Sequence, residues 1–314
     1  MKNKVISNLL VAVAKGLEAI RQIVRAIEIE TSSEGKSPYW LELMYTLASI
    51  SYLSDKQYRK NIKYAKMALK EALILGDAQT IINDYRLLAG QKKSPSKKIK
   101  FQRKALEWSK KINSYTEIQK CYSSLALTYS LKKDYNKAIE YDSLAYNYAF
   151  YLDDTLLVAE ALESLADNHM SAKNYQSAIK AAELSSGLYL LLKDHESIIP
   201  TQTIVGLASF QIMDLEKAHD TFFQIVEYCL DNDCDVFLKS LGMSMWASTA
   251  ILSRNHDFVI EYFPSILDDY ENMFPESEIQ FVNYYETKSI VEFVNDRNGS
   301  LKRYKLLSHD MPGH

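Results

Sequence analysis

Residues 121–149, CYSSLALTYSLKKDYNKAIEYDSLAYNYA, read as a helix, a tight turn and a second helix, and altered copies of this unit recur on both sides of it. Ala126 and Tyr129 lie three residues apart, on one helix face, where a small residue beside a ring lets a second helix approach closely. The break falls at Lys132–Asp134. Beyond it Tyr135, Ala138, Ile139, Tyr141 and Ala145 recur at helical spacing and alternate small with large. A unit of this size cannot bury its own apolar face and must stack on its neighbours, so self-similarity decides the fold class: an all-α array of helix pairs.

Working outward, Ala126, Ala166 and Gly206 are spaced 40 residues apart. The copy after the central one carries Ala166, His169, Asn174, Tyr175, Ala178 and Ala182, and the next carries Gly206, Ser209, Asp214, Leu215, Ala218 and Phe222. On the amino-terminal side a pair spans Glu42–Gly76 with Ser49, Tyr52, Tyr58, Ala65 and Ala68. A degenerate pair follows, with Ile81, Tyr85, Leu88 and Ala89, then KKSPSKK, then Phe101, Ala105 and Trp108. Pro95 suits the first turn of a helix, where its missing N–H is not needed. A sixth pair is expected across Phe237–Tyr270 and a seventh across Glu276–Leu307. Over Lys4–Glu30 the residues Leu9, Leu10, Val13, Leu17, Ile20, Val24 and Ile27 predict an amphipathic helix that caps the array. Turn chemistry at Thr31–Ser37 closes it, giving a capping segment at 1–37 and a repeat domain at 38–314.

The order of small and aromatic residues in the unit closely resembles the tetratricopeptide repeat. That resemblance implies a right-handed superhelical solenoid of antiparallel helix pairs, six to seven of them here, and a general role in holding a peptide or protein. Asn61 stands where that family usually has alanine, and the expectation is a slightly loosened first pair. Forty-residue repeats are similar to those in bacterial peptide-pheromone receptors and in repeat-containing regulators. The resemblance thus implies a non-catalytic binding scaffold or sensor; the alternative is a signalling regulator of the pheromone-receptor or response-regulator-phosphatase type. In the receptors, groove asparagines grip the peptide backbone, and Asn83 and Asn168 are the candidates. The Lys/Asn/Arg clamp of chaperone-binding members is missing here.

Composition agrees. A hydrophobic fraction of 47% with 9 Gly and 6 Pro fits a continuous helical array. The net charge of −3 gives no general attraction to nucleic acid or to acidic membranes, and the basic run Lys92–Lys104 reads as a local, solvated helix face. No stretch of eighteen apolar residues predicts a membrane span. Cys121, Cys229 and Cys234 form neither an even framework nor a CxxC pair, which predicts a reducing, cytoplasmic setting.

Enzyme signatures are missing from the sequence. The six histidines show no metal spacing, and there is no Gly-rich phosphate loop. His169 takes the repeat's aromatic place and is expected to pack. Asp231–Asp235 lacks the glycine and the glutamate of a calcium loop. No catalytic residue, metal or cofactor is expected.

Binding is therefore expected on the groove lined by the first helix of each pair. The candidate residues are Asn83; Ser123, Leu127 and Ser130; Glu160, Glu163, Asp167, Asn168 and Met170; Thr203, Leu207 and Phe210; and Trp246. Carboxylates at three- and four-residue steps beside apolar pockets should favour a basic, partly hydrophobic peptide or protein segment. No nucleic-acid or membrane partner is expected, and the terminal helices are the candidate contact for a homodimer.

Overall fold

The computed structural model describes residues 17–54, 56–232 and 236–253, and every regular element in that span is an α-helix. The chain divides into two compact units, Met1–Leu157 and Val158–His314. The first holds α1 (Leu17–Ser32), α2 (Pro38–Ser54), α3 (Tyr58–Leu75), α4 (Ala78–Gly90), α5 (Pro95–Lys111), α6 (Tyr115–Leu131) and α7 (Tyr135–Tyr151). The second holds α8 (Thr155–Ser171) from Val158 onward, then α9 (Tyr175–Leu192), α10 (His195–Gln211), α11 (Leu215–Asp231) and α12 (Val236–Leu252). Each helix packs on the next within its unit, as hairpins whose first helix is even-numbered (α2/α3, α4/α5, α6/α7, α8/α9, α10/α11). The second helix of the sixth pair, the seventh pair and the start of the amino-terminal helix lie outside the described residues.

The turns that make these hairpins contain almost no glycine. Lys56, Asn113, Lys133, Asp153, Lys173, Lys193 and Met213 all adopt positive φ, between 50° and 62°. Each closes a helix in the same way. Lys133 N–H donates to Ser130 O at 2.7 Å and Asp134 N–H to Tyr129 O at 3.0 Å; Met213 N–H donates to Phe210 O at 3.1 Å and Asp214 N–H to Ser209 O at 2.9 Å. The last carbonyls of one helix are thus satisfied by the residues that start the next. Caps complete the starts: Ser114 Oγ accepts from Glu117 N–H, Asp194 from Ser197 N–H and Asp214 from Lys217 N–H.

Small residues set how closely paired helices approach. Ala126 with Ala138, Ala166 with Ala178, and Gly206 with Ala218 each lie 12 positions apart, and all five alanines are fully buried. Four positions further on stand Asp142, Ala182 and Phe222, and the last explains the glycine. A Cβ added at Gly206 would lie 2.8 Å from the ring of Phe222. In the first pair the two facing positions are Ser49 and Asn61, and the expected loosening is corrected. Asn61 is fully buried, and its Nδ2 donates to Ser49 O at 2.8 Å and Ser49 Oγ at 3.1 Å, with Gln91 Nε2 also donating to that hydroxyl at 3.2 Å. A polar tie replaces the alanine contact, so the pair is not loosened.

Rings staple the same pairs in the first unit. Tyr52 stacks on Tyr64 and Tyr129 on Tyr141, each at 5.4 Å between centroids. On α1, Ile23 and Ile27 join Leu41, Met44, Tyr45 and Ala48 in one apolar cluster, so α1 covers the apolar side of the first pair.

Candidate functional site

In the second unit Ala166 of α8 shares a core cluster with Ile204, Val205 and Ala208 of α10, which sets these two first helices side by side. Each of the two helices carries candidate residues at helical spacing. On α8 they are Glu160, Glu163, Asp167 and Met170, at helical steps of three and four. On α10 they are Thr203, Leu207 and Phe210.

The carboxylates differ in setting. Glu160 is exposed. Glu163 is half-buried and accepts a hydrogen bond from Tyr189 Oη at 2.7 Å, which fixes one oxygen. Burial raises its pKa against that bond, and the neighbouring charges that act on it, Asp167 and Asp194, are both acidic and raise it further. Asp167 is exposed as a residue, but the protein around it also raises its pKa through desolvation. Glu163 and Asp167 thus hold negative charge that the surrounding protein disfavours, a condition a cationic ligand would relieve.

The apolar members sit beside them. Met170 is half-buried against the Ala166–Ala178 cluster, and Leu207 and Phe210 are half-buried against the cluster built on Phe222, Ile225 and Trp246. Thr203 Oγ1 donates to Ile199 O at 2.8 Å, so its hydroxyl is left as an acceptor.

Two residues expected on this face are not on it. Asn168 is buried, and its Nδ2 donates to Ser164 O at 3.1 Å, a bond within its own helix that keeps the amide from an extended ligand. Trp246 is 1% exposed. It packs with Phe222 and Ile225 of α11 in one apolar cluster, its ring 5.2 Å from that of Phe223, so it is a core residue. His169, half-buried where two other copies have Tyr52 and Tyr129, has its pKa lowered by burial, as a neutral packing residue would.

In the first unit the candidates are placed on α4 and α6. Asn83 is exposed, Ser123 Oγ accepts from Gln119 Nε2 at 3.2 Å, Leu127 is 58% exposed and Ser130 is half-buried. Two charged groupings that sequence spacing does not reveal lie on the same helices. Buried Glu117 pairs with Arg86 at 3.0 Å and with Lys120 at 3.4 Å. Thr46 Oγ1 donates to Glu42 Oε1 at 2.9 Å and lies 3.4 Å from Asp84 Oδ1. Asp84 is 2% exposed, and burial, with the Glu42 charge adding to it, pushes its pKa up to about 7. Each grouping joins two different helices, so no local motif announces it.

Among the described residues no group of three His, Cys, Asp or Glu could hold a metal ion, and no helix is long and apolar enough to cross a membrane.

Compared with protein-family models and with curated proteins, the sequence gives no match. Solved structures do match. A signal-transduction ATPase with a tetratricopeptide repeat sensor from Pyrococcus horikoshii aligns at 18% identity and a TM-score of 0.67, over 86% of this chain. This chain spans 44% of the length of that protein. The apo form of RapI aligns at 10% identity and a TM-score of 0.67, covering 96% of this chain and 84% of RapI. Aspartyl phosphate phosphatase F from Bacillus subtilis aligns at 16% identity and a TM-score of 0.57, covering 87% and 75%. At such identities the likeness speaks for the fold alone, and it agrees with the packed pairs and the 40-residue register: the chain carries the tetratricopeptide-repeat fold.

Proposed function

We propose that this protein is a non-catalytic scaffold or sensor that works in the cytoplasm and binds a basic, partly hydrophobic peptide or protein segment on the face formed by α8 and α10. The observation that carries the reading is the acidic face of α8. Glu160, Glu163 and Asp167 share one face of α8, two of them are disfavoured as anions by their surroundings, and half-buried Met170 lies on the same helix, with half-buried Leu207 and Phe210 on α10. An ammonium or guanidinium placed there gains charge-assisted hydrogen bonds while apolar side chains of the same segment are covered. Proteins of similar fold include a repeat sensor and a phosphatase, which supports a regulatory setting.

Fluorescence anisotropy with a labelled peptide array tests this. Sequences alternating Lys or Arg with Leu or Phe should bind, and their acidic counterparts should not. Equal binding of both would defeat the assignment of charge to the site. The non-catalytic part is tested separately: accelerated loss of phosphate from phosphorylated response regulators in the presence of the protein would contradict it.

A further inference from the structure

The small net charge hides a division. Residues 1–157 hold 26 Lys and Arg against 16 Asp and Glu, a net of +10, while residues 158–314 hold 11 against 24, a net of −13. In the first unit the excess is concentrated on α3, α5 and the turn before α5, which carry 14 basic residues against Glu71 and Glu107. Lys63, Lys66, Lys70, Lys97 and Lys100 are all exposed. Among the described residues none of the basic side chains of α3 or α5 is in an ion pair; several lie over rings instead, Lys63 over Tyr64, Lys104 over Tyr85 and Lys111 over Trp108. The two helices crowd their charges together. Lys66 and Lys97 both act on the half-buried Lys92, whose pKa is lowered by burial first and by these neighbours next.

The second unit presents the complement on α11. Glu216, Asp220 and Glu227 are exposed there, and an open depression of about 390 Å³ is lined by Asp214, Glu216, Lys217, Asp220, Thr221 and Gln224. The lysine of that surface, Lys217, is engaged by Glu183.

We propose that the basic ridge of α3 and α5 is a docking surface for the acidic face of α11 on a second copy of this chain. Each copy carries one surface of each sign, so the basic ridge of one copy meets the acidic face of another. Charge complementarity selects this occupant: the chain carries its own counter-surface, whereas a long polyanion such as duplex DNA is repelled by the −13 half. Two helix ridges about 25 Å long and about 20 Å across offer roughly 500 Å², below the roughly 800 Å² per partner of a standard interface. The association is therefore weak and salt-dependent.

Sedimentation velocity of the full chain should show a species near twice its 36.0 kDa mass in about 25 mM salt and monomer in about 500 mM. The variant K63E/K66E/K97E and the variant E216K/D220K/E227K, all at exposed positions, should each lower the association constant by about tenfold or more. Folding of both is checked by helical circular dichroism. Equal mixing of the two should restore association, because the acidic ridge of one variant then meets the basic face of the other and the reverse, and a chain carrying both sets of changes should pair with itself again, because its charges are exchanged. A parent that is monomeric at low salt, a dimer that survives 500 mM salt, variants that associate normally, or duplex DNA retained by the ridge without self-association would each overturn the proposal.

Discussion

Gly206 and Asn61 show how single positions set the distance between paired helices. Phe222 fills the space that a methyl group at position 206 would need, so Gly206→Ala should destabilise by about 1 to 3 kcal/mol, read from denaturant unfolding. Adding Phe222→Leu to that variant should recover part of the loss relative to the sum of the two single changes. At the first pair, Asn61→Ala should cost about 1 to 2 kcal/mol by removing the amide donor to Ser49 O and Oγ, while Ser49→Ala with Asn61→Ala rebuilds the alanine contact of the later pairs and should be milder than the sum. Asp84 makes a prediction in pH. Its carboxyl binds a proton more tightly folded than unfolded, so the stability it contributes is fully present below about pH 4 and is lost as pH rises to about 7. Asp84→Asn should flatten that decline and gain on the order of 2 to 4 kcal/mol over the parent at pH 8, measured by thermal unfolding across pH.

At the scale of helices and turns, the sequence was legible where small and aromatic residues mark the register. The pairs through α11 fall where Ala126, Ala166 and Gly206 place them, because close approach leaves few residue choices at such positions. The turn geometry was mostly not legible, because the residues that take positive φ are Lys, Asn, Asp and Met at seven turns, and glycine, which announces such turns, serves only at Gly76 among the described residues. Their strain is offset by the hydrogen bonds that close each helix onto the next. Met213, exposed at φ 62°, should therefore tolerate glycine: Met213→Gly relieves left-handed strain of about 1 to 2 kcal/mol against a smaller unfolded-chain entropy cost, for a net gain of up to about 1 kcal/mol. A loss of stability in that variant would mean that the methionine side chain, not the turn, holds the helices together. Trp246 is the same lesson in reverse, since its chemistry suggested a pocket while the structure packs it into the core with Phe222 and Ile225. Asn168, one residue past Asp167, likewise turns into the helix packing because neighbouring positions point some 100° apart.

For the whole molecule, net charge was the misleading quantity, since −3 conceals halves of +10 and −13. The acidic face of α8 was legible because its carboxylates share one helix. The Glu42–Thr46–Asp84 and Arg86–Glu117–Lys120 groupings were not, because helices distant in sequence must pack before they form. The central claim is that the α8 carboxylates are the specificity element for a cationic ligand. The direct test is isothermal titration calorimetry of a Lys- and Leu-containing peptide into the parent and into Glu160→Gln/Glu163→Gln/Asp167→Asn. The triple variant should keep its helical content and bind about 1 to 3 kcal/mol more weakly at low salt, with the difference shrinking at high salt as screening weakens the parent's contacts. Identical affinities at low salt, with both proteins folded, would contradict it.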